Sequence, residues 1–338
     1  MKKLLSLLLV LGMLLGMLSA CAPAEDPDTG KGPEGDTPTE EAVTIRAAGM
    51  KGPTSLGLVH LMEEAANGRA ANQYDFTMYA KADEITPKLI KGELDMAALP
   101  ANAAATVYQK TNGAITVLAV NTLGVVYIVE KGDSIHSLAD LSGKKIYAVG
   151  KGTTPEYGLS YILSQNGMSL DDLQIEWKSE ATEILPLLKA EENAVAMIPQ
   201  PFVTAAQTQV EGLRVAISLN EEWEKLDNGS QFITGVLVAR TDFVKAHEKA
   251  VAAFLTEYEA SIRYAKEETA AAAELVVKYG IMDAVPLAAK ALPQCNLTFL
   301  SGAAMKGALE GYLTTLYNQN PQAVGGKLPG DDFYYGAK

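Results

Sequence analysis

The sequence predicts an α/β protein made of two lobes of similar plan with a ligand cleft between them. Short β-branched runs alternate with longer amphipathic stretches from Val43 onward, which is typical of α/β units. The order strand, glycine-rich loop, helix, strand, helix, strand, proline-containing loop, helix occurs twice. The chain has 338 residues, of which 48% are apolar and 20% are charged. This length and composition are sufficient for two ordinary hydrophobic cores.

The first 20 residues are predicted to be an export signal. A basic start is followed by an apolar run from Leu4 to Leu18, which is shorter than the roughly 20 residues that cross a membrane. The run ends in L-S-A-C, which resembles a bacterial lipobox and predicts lipidation of Cys21. An ordinary signal peptide, with Cys21 incidental, is the alternative. Residues 22–42 lack large apolar side chains and are predicted to be a flexible tether. We therefore expect the mature protein to be extracytoplasmic and anchored to the cell membrane by lipidated Cys21.

The first block of alternating elements predicts one lobe. Thr54 or Ser55 is expected to cap its first helix, and Gly92 is expected to end its second helix in a left-handed conformation. The predicted strands are 43–48, 74–79, 94–99, 115–120 and 125–130, and the predicted helices are 54–66, 84–91 and, after Pro100-Ala101-Asn102, 103 to about 110.

The second block predicts the other lobe. Its strands are 145–149, 173–177, 194–198 and 213–217, and its helices are 156–166, 181–190 and 202–209. A strand at 231–239 and helices at 242–279 and 300–317 follow, and we expect them to return to cover the first lobe.

The return of the chain sets the predicted lobe boundaries. Two chain crossings, near 121–127 and 228–234, indicate a hinge beside a cleft. The predicted lobes are residues 43–123 with 233–338, and residues 124–232.

Four loops that follow predicted strands and open helices indicate the ligand site. Their free N–H groups and the positive ends of the helix dipoles favour an anionic or hydrogen-bond-accepting group. These loops are 52–55, 101–103, 152–154 and 200–202.

The side chains in and near these loops are the candidate ligand contacts. Hydroxyls and amides supply directional hydrogen bonds, or alternatively cap helices. Lys151 is a candidate partner for a carboxylate or sulfonate, Tyr127 and Tyr157 for a planar ring, and Glu84 for a ligand amine. Alternatively, Lys151 is a solvated loop lysine, the two tyrosines pack in the core, and Glu84 only interacts with the dipole of its helix. The complete candidate set is Met50, Gly52, Thr54, Ser55, Glu84, Pro100, Asn102, Asn121, Tyr127, Lys151, Thr153, Thr154, Tyr157, Gln200 and Thr234.

Charge and motifs argue against several other functions. The chain has 28 basic and 41 acidic residues, and this net charge of −13 disfavours nucleic acid as a partner. Its three histidines are far apart, so neither a zinc site nor a Ser/His/Asp triad is predicted. G-K-G-T-T-P lacks the last glycine of a dinucleotide motif, and no G-x-S-x-G or phosphate-binding G-x-x-x-x-G-K-[ST] occurs. We expect no metal, no cofactor and no catalysis.

Six features carry a resemblance to a known family. They are the lipobox, the acidic tether, G-M-K-G-P-T-S at 49–55, K-G-E-L-D-M-A-A-L-P-A-N at 91–102, G-K-G-T-T-P at 150–155 and M-I-P-Q-P at 197–201. Together they resemble solute-binding lipoproteins of ABC importers, of the nitrate/sulfonate/bicarbonate and thiamine-pyrimidine-precursor type.

The resemblance implies a type II periplasmic-binding-protein fold and a monomer that delivers its ligand to a membrane permease. Ligands of this group span oxyanions, sulfonates and heteroaromatic rings, and we place small organic anions slightly ahead. The cysteine-rich motif of relatives that synthesise thiamine pyrimidine is absent.

Two rival functions stay open at this point. One is a lyase similar to chorismate dehydratase on the same fold, which the lipobox opposes because that substrate is cytoplasmic. The other is an envelope or adhesion lipoprotein whose cleft has no transport role.

Overall fold

Two mixed β-sheets organise the protein in the computed structural model, which describes residues 43–337. These residues belong to one compact unit. The predictions for residues 1–42, which include the signal, the lipidated cysteine and the tether, lie outside the described residues. Within the described part, no helix has the length and apolar character needed to span a membrane.

The strands lie close to most of the predicted positions. They are β1 (Thr44–Met50), β2 (Gln73–Tyr79), β3 (Met96–Pro100), β4 (Ile115–Leu123), β5 (Val126–Lys131), β6 (Lys145–Ala148), β7 (Gln174–Trp177), β8 (Val195–Pro199), β9 (Leu213–Ser218), β10 (Ile233–Arg240) and β11 (Leu297–Leu300).

The α-helices cover both sheets. They are α1 (Val59–Ala66), α2 (Ala82–Ile90), α3 (Ala101–Lys110), α4 (Thr154–Gln165), α5 (Ile184–Ala190), α6 (Phe202–Gln209), α7 (Leu219–Lys225), α8 (Thr241–Ala246), α9 (Glu248–Glu267), α10 (Thr269–Lys278), α11 (Val285–Ala291) and α12 (Gly302–Gln319).

The two sheets repeat one pairing plan. The first has the order β11-β4-β10-β3-β1-β2, and the second has the order β7-β6-β8-β5-β9. In each, a strand pairs in parallel with two neighbours, β1 with β2 and β3, and β6 with β7 and β8. Strand β10 follows the second sheet in the chain and inserts antiparallel between β3 and β4. The predicted α/β class and the return of the chain to the first sheet are therefore confirmed. We call the first sheet with its helices the first lobe, and the second sheet with α4 to α7 the second lobe.

An aromatic group joins the two lobes beside the chain crossings. The Trp223 ring centre lies 4.8 Å from that of Tyr161, 5.2 Å from that of Phe232 and 5.5 Å from that of Tyr312. Trp223 and Tyr161 belong to the second lobe, and Tyr312 lies on α12 of the first. A Cβ atom at Gly158 would lie 2.5 Å from the Phe232 ring, so glycine permits this approach. We call Tyr161, Trp223, Phe232 and Tyr312 the aromatic junction.

The start of the first helix differs from its prediction. Thr54 and Ser55 lie inside a 3-10 helix, Pro53–Leu58, which precedes α1, and Gly52 occupies the cap position. Proline has a fixed φ and no N–H, so it suits the first helical position and moves the helix start ahead of the two hydroxyls. The prediction that Thr54 or Ser55 caps this helix is wrong. Gly92 adopts a φ of 75° just beyond Lys91, the last capping residue of α2, as predicted.

Tertiary pairing changes three other elements. The sequence pattern predicts a connection at residues 121–123, but Thr122 lies opposite both Gly235 and Leu297 and therefore extends β4. It predicts a helix from Leu300, but Leu300 pairs with Val120 as the end of β11. The single predicted helix over 242–279 is divided into α8, α9 and α10. At Thr122 and Leu300, strand partners that are distant in sequence override the local pattern.

One surface carboxylate ties α1 to the end of α10. Glu63 accepts hydrogen bonds from Lys278, from Tyr279 at 2.8 Å and from Asn67 at 3.0 Å. Hydrogen bonds from Lys278, Tyr279 and Asn67, in that order, lower the pKa of Glu63 from 4.5 to about 2.

Glu63→Gln removes this carboxylate and is expected to lower the free energy of unfolding at pH 7. The loss is expected to be only about 1 kcal/mol, because the site is partly solvated. The folded-state pKa lies below the unfolded one, so the carboxylate stabilises fully above about pH 4.5 and loses this effect as the pH falls toward 2. Urea unfolding at pH 7, 4 and 2.5 measures the difference between the variant and the wild type. Glu259→Gln, at an exposed position, is the control. A difference in unfolding free energy between Glu63→Gln and the wild type that does not change with pH would contradict the lowered pKa of Glu63.

Candidate functional site

A cavity of about 890 Å³ lies between the two lobes. This volume is within the range of small-molecule sites. The first lobe contributes residues 50–54, 80–83, 100, 234, 280–284 and 287, and the second lobe contributes 126, 149–151, 153–155, 177–182, 185, 188, 198, 199, 201, 202, 205, 206 and 209.

Three of the four loops predicted to face a ligand contribute residues to the lining of this cavity. The lining includes 52–54, 153–154 and 201–202, while the start of α3 contributes only the preceding Pro100. Thr54 and Thr154 are buried, and their backbone N–H groups make no hydrogen bond within residues 43–337. Unpaired donors at helix starts favour a negatively charged or accepting ligand group.

Two buried hydroxyls in the cavity wall lack partners. Thr54 is 2% exposed and Thr234 is 7% exposed, and neither Oγ1 atom has a hydrogen-bond partner in the described part of the chain. The Ser55 hydroxyl is also buried without a partner, but Ser55 does not line the cavity. A Cβ atom at Gly235 would lie 2.4 Å from Thr54 Cγ2, so glycine lets β10 approach the first helix start. An unsatisfied buried hydroxyl costs about 1–3 kcal/mol, which a ligand acceptor would offset.

The other loop hydroxyls are already engaged. Thr153 Oγ1 donates to the Gly150 carbonyl at 2.8 Å, and Thr154 Oγ1 donates to Asn102 Oδ1 at 3.4 Å. Asn102 Nδ2 also donates to the Gly152 carbonyl at 3.3 Å. Asn102 therefore connects α3 of the first lobe to the glycine-rich loop of the second.

Two candidate amides have structural partners. Gln200 Oε1 accepts from Thr204 N at 3.2 Å and from Thr204 Oγ1 at 3.0 Å, so it satisfies a free donor in the first turn of α6. Asn121 Nδ2 donates to the Thr54 carbonyl at 3.1 Å and thereby supports the first helix start.

Three more candidates lie away from the cavity lining. Tyr127 and Tyr157 are half-buried and pack against hydrophobic cores, and burial raises the pKa of both phenols. Glu84 is exposed on α2. The candidates outside the lining are Ser55, Glu84, Asn102, Asn121, Tyr127, Tyr157 and Gln200. Those inside it are Met50, Gly52, Thr54, Pro100, Lys151, Thr153, Thr154 and Thr234.

Both signs of charge occur in the lining. Lys51, Lys81 and Lys151 are exposed and make no ion pair with another described residue, whereas Lys178 binds Glu176 at 2.6 Å. The carboxylates are Asp83, Glu180 and Asp283. The net charge of the lining therefore does not indicate the ligand class. The buried hydrogen-bond donors are the stronger indication.

The sequence reasoning missed an apolar part of the lining. Trp177, Leu185, Phe202 and Leu287 are half-buried and turn apolar surface toward the cavity. Trp177 ends a predicted strand, and this position at the carboxyl end of the strand is the sequence signal that could have placed it in the lining. Residues 280–287 carry no motif and enter the lining only because α11 packs against α6.

The comparisons with known proteins agree with this architecture. An ABC transporter structure from Parabacteroides distasonis has a TM-score of 0.71 and 25% identity, covering 86% of this chain and 98% of that one. The periplasmic aliphatic sulphonate binding protein SsuA from Escherichia coli has a TM-score of 0.67 and 17% identity, covering 83% and 93%. These likenesses show the fold of periplasmic binding proteins.

Sequence comparison gives a relative and a family. A binding protein of Brucella abortus is 23% identical over 205 residues, which are 60% of this chain and 62% of that protein. The match thus spans less than two thirds of this relative's length. The NMT1/THI5-like family matches residues 75–272, which is more than half of the chain. This match, together with the two-sheet fold and its central cavity, shows that the chain belongs to the NMT1/THI5-like family.

Proposed function

We propose that this protein is an extracytoplasmic solute-binding lipoprotein that captures a small organic ligand between its lobes and delivers it to an ABC importer. The observation that carries the proposal is the pair of unpartnered hydroxyls of Thr54 and Thr234 in the wall of a cavity between two sheets. Family membership and the fold of periplasmic binding proteins support it. The described structures of similar fold include sulfonate-binding proteins.

The ligand class that fits best is a small organic anion, such as a sulfonate or carboxylate. Hydroxyls and backbone N–H groups donate to anionic oxygens, and the start of α4 adds its dipole. Lys151 stands in the same loop and has no ion-pair partner within the described residues. A heteroaromatic vitamin precursor is the second candidate, favoured by the Trp177 and Phe202 rings in the lining.

Lobe closure supplies the mechanism. We propose that residues 43–123 with 233–338 move as one lobe and residues 124–232 as the other. Thr54 and Thr234 lie on the first lobe, while Lys151 and Thr154 lie on the second. A ligand that contacts both sets binds the closed form more tightly and shifts the population toward it. The permease would recognise that closed surface.

Binding without chemistry is part of the proposal. Neither a triad nor a metal motif was found in the sequence, and the lining hydroxyls of Thr153 and Thr154 are held by the Gly150 carbonyl and by Asn102. The lyase and adhesion alternatives predict other behaviour. A lyase would convert its substrate, and an adhesion protein would show no ligand stabilisation.

A thermal-shift screen of residues 43–338 tests the function. The ligands are sulfonates, carboxylates, nitrate and pyrimidines. A ligand at about 100 times its dissociation constant adds about 2.7 kcal/mol to the free energy of unfolding, which raises the melting temperature measurably. Stabilisation by one class supports transport and identifies the substrate type. No stabilisation by any class would reject the proposal for these ligands.

Cys21→Ala is expected to release the protein from membranes, because the lipid on Cys21 is the proposed anchor. Fractionation of cells and a fatty-acid probe measure the effect. Cys295→Ala is the matched control, since Cys295 is fully buried and burial raises the pKa of its thiol to about 12. Probe incorporation that persists in Cys21→Ala would contradict the anchor.

A further inference from the structure

A buried asparagine joins the two lobes beside the cavity. Asn102 is 1% exposed and lies in the first turn of α3, two residues after Pro100, which lines the cavity. Its Nδ2 atom donates to the Gly152 carbonyl at 3.3 Å, and its Oδ1 atom accepts from Thr154 Oγ1 at 3.4 Å. Gly152 and Thr154 belong to the second lobe, so both hydrogen bonds run from one lobe to the other.

The first lobe holds the same side chain in place. Asn102 Nδ2 also donates to the Ala323 carbonyl at 3.2 Å, in the segment that follows α12. The side-chain amide of asparagine has two N–H donors and one accepting oxygen, and each of them has a partner here. One donor is thus used within the first lobe, and the other donor and the oxygen are directed toward the second.

Burial distinguishes this contact from another side-chain contact between the lobes. Gln319 Nε2 on α12 donates to Ser160 Oγ on α4 at 2.9 Å, but both of these residues are half-buried. Asn102 and Thr154 are both removed from water. A buried group that loses its protein partner without gaining water costs more than an exposed one, so the bonds of Asn102 are the ones that depend most on how closely the lobes approach.

The hydrogen bonds of Asn102 to the second lobe form without a ligand. Asn102 does not line the cavity, and its partners are a backbone carbonyl and a hydroxyl of the protein itself. Separation of the lobes would exchange these bonds for bonds to water. The net free energy of each bond therefore favours the form in which the lobes are together.

We propose that Asn102 is a positioning residue that holds the two lobes closed before a ligand binds. Its two bonds to the second lobe are expected to favour the closed form about tenfold over an open form. A ligand that binds only the closed form then has less closure to drive, and it binds more tightly by up to the same factor. This inference rests on the proposed movement of the lobes but on no particular ligand.

Amide hydrogen exchange of the purified full chain without ligand tests the inference. The backbone N–H of Thr154 is buried and makes no hydrogen bond within residues 43–337, so the exchange of segment 150–156 is expected to report lobe opening. Asn102→Ala removes both bonds to the second lobe and should speed this exchange about tenfold. Strand β1 should keep its wild-type exchange rate, because lobe opening leaves the first sheet intact.

Asn72→Ala is the matched control. Asn72 is also a buried asparagine, and its Nδ2 atom donates to the Ala250 carbonyl at 3.0 Å. Both of these residues belong to the first lobe. This variant is expected to lose stability and to leave the exchange of segment 150–156 at the wild-type rate.

Thr154→Val tests the same contact from the second lobe. It removes the donor to Asn102 Oδ1 and leaves the bonds of Asn102 to Gly152 and Ala323 in place. One of the two bonds between the lobes is lost, so exchange of segment 101–104 in the first lobe should become about threefold faster. If Asn102→Ala does not fold, Thr154→Val decides the question.

The outcomes separate this inference from the proposed function. Unchanged exchange of segment 150–156 in Asn102→Ala would overturn the inference. Equal acceleration of segment 150–156 and of β1 would mean a general loss of stability, and it would overturn the inference as well. The thermal-shift screen of the wild type judges the proposed function independently. A stabilising ligand combined with unchanged exchange would therefore leave the binding function standing without the role of Asn102.

Discussion

Replacing Thr54 and Thr234 together by valine is expected to weaken binding of the anionic ligand about 100-fold. Both residues line the cavity, and both hydroxyls are buried without a partner in residues 43–337, so we expect a bound ligand to supply the missing acceptor. A hydrogen bond to a charged group contributes about 1.5–3 kcal/mol, and a factor of ten in affinity corresponds to about 1.4 kcal/mol. Titration of the ligand identified in the screen measures the loss.

The same double variant is expected to fold at least as stably as the wild type without ligand. Valine has nearly the shape of threonine and removes two unsatisfied polar atoms. Thr116→Val is the matched control, because Thr116 is also buried but its hydroxyl donates to the Phe333 carbonyl at 3.0 Å. That control should lose about 1 kcal/mol of stability and keep its ligand affinity. Unchanged affinity in the double variant would refute the role of these hydroxyls.

Trp223→Ala is expected to lower the free energy of unfolding by about 3–5 kcal/mol, the usual cost of truncating a buried tryptophan. Trp223 is fully buried and contacts three aromatic rings of the aromatic junction. Its Nε1 donates to the Ser230 carbonyl at 3.2 Å, next to the second chain crossing. The truncation would leave a cavity where the two lobes meet, together with an unpaired carbonyl. Denaturant unfolding of the ligand-free protein measures the loss.

The other tryptophan provides the control for this prediction. Trp177 is half-buried in the lining of the cavity, so Trp177→Ala should cost about 1 kcal/mol of stability or less. Equal stability losses for the two variants would contradict a special role for the aromatic junction. A large loss confined to Trp223→Ala is the expected result.

The candidate site was predicted unevenly. The four helix starts follow from local signals, since glycine, proline and threonine after a buried strand predict a turn and a helix. Side-chain roles did not follow from the same signals. Asn102 and Gln200 lie in or next to those loops, but their roles differ. Asn102 donates a hydrogen bond across the lobes to the Gly152 carbonyl, and Gln200 accepts one from Thr204 N in the first turn of α6. Which hydroxyls stay unpartnered depends on neighbours that are remote in the sequence.

The apolar side of the cavity had no local signature. Leu185, Phe202 and Leu287 fit ordinary amphipathic helices, whose apolar faces are usually buried in the core. They line the cavity because α11, which the sequence pattern did not predict, packs against α6. Their exposure to a ligand is therefore a property of how two distant helices meet.

By itself, the sequence determined the α/β class, the repeated plan of the two sheets and the return of the chain to the first sheet. Hydrophobic periodicity and turn residues act over a few neighbours and are visible in any single chain. The tertiary structure decided the extension of β4 through residues 121–123, the aromatic junction and the division of the cavity into a donor-rich and an apolar part. These features depend on strand partners and helix contacts that lie far apart in the sequence, as in the pairing of Thr122 with Gly235. Local propensity carries no information about such contacts, because their free energy arises only when the chain has folded.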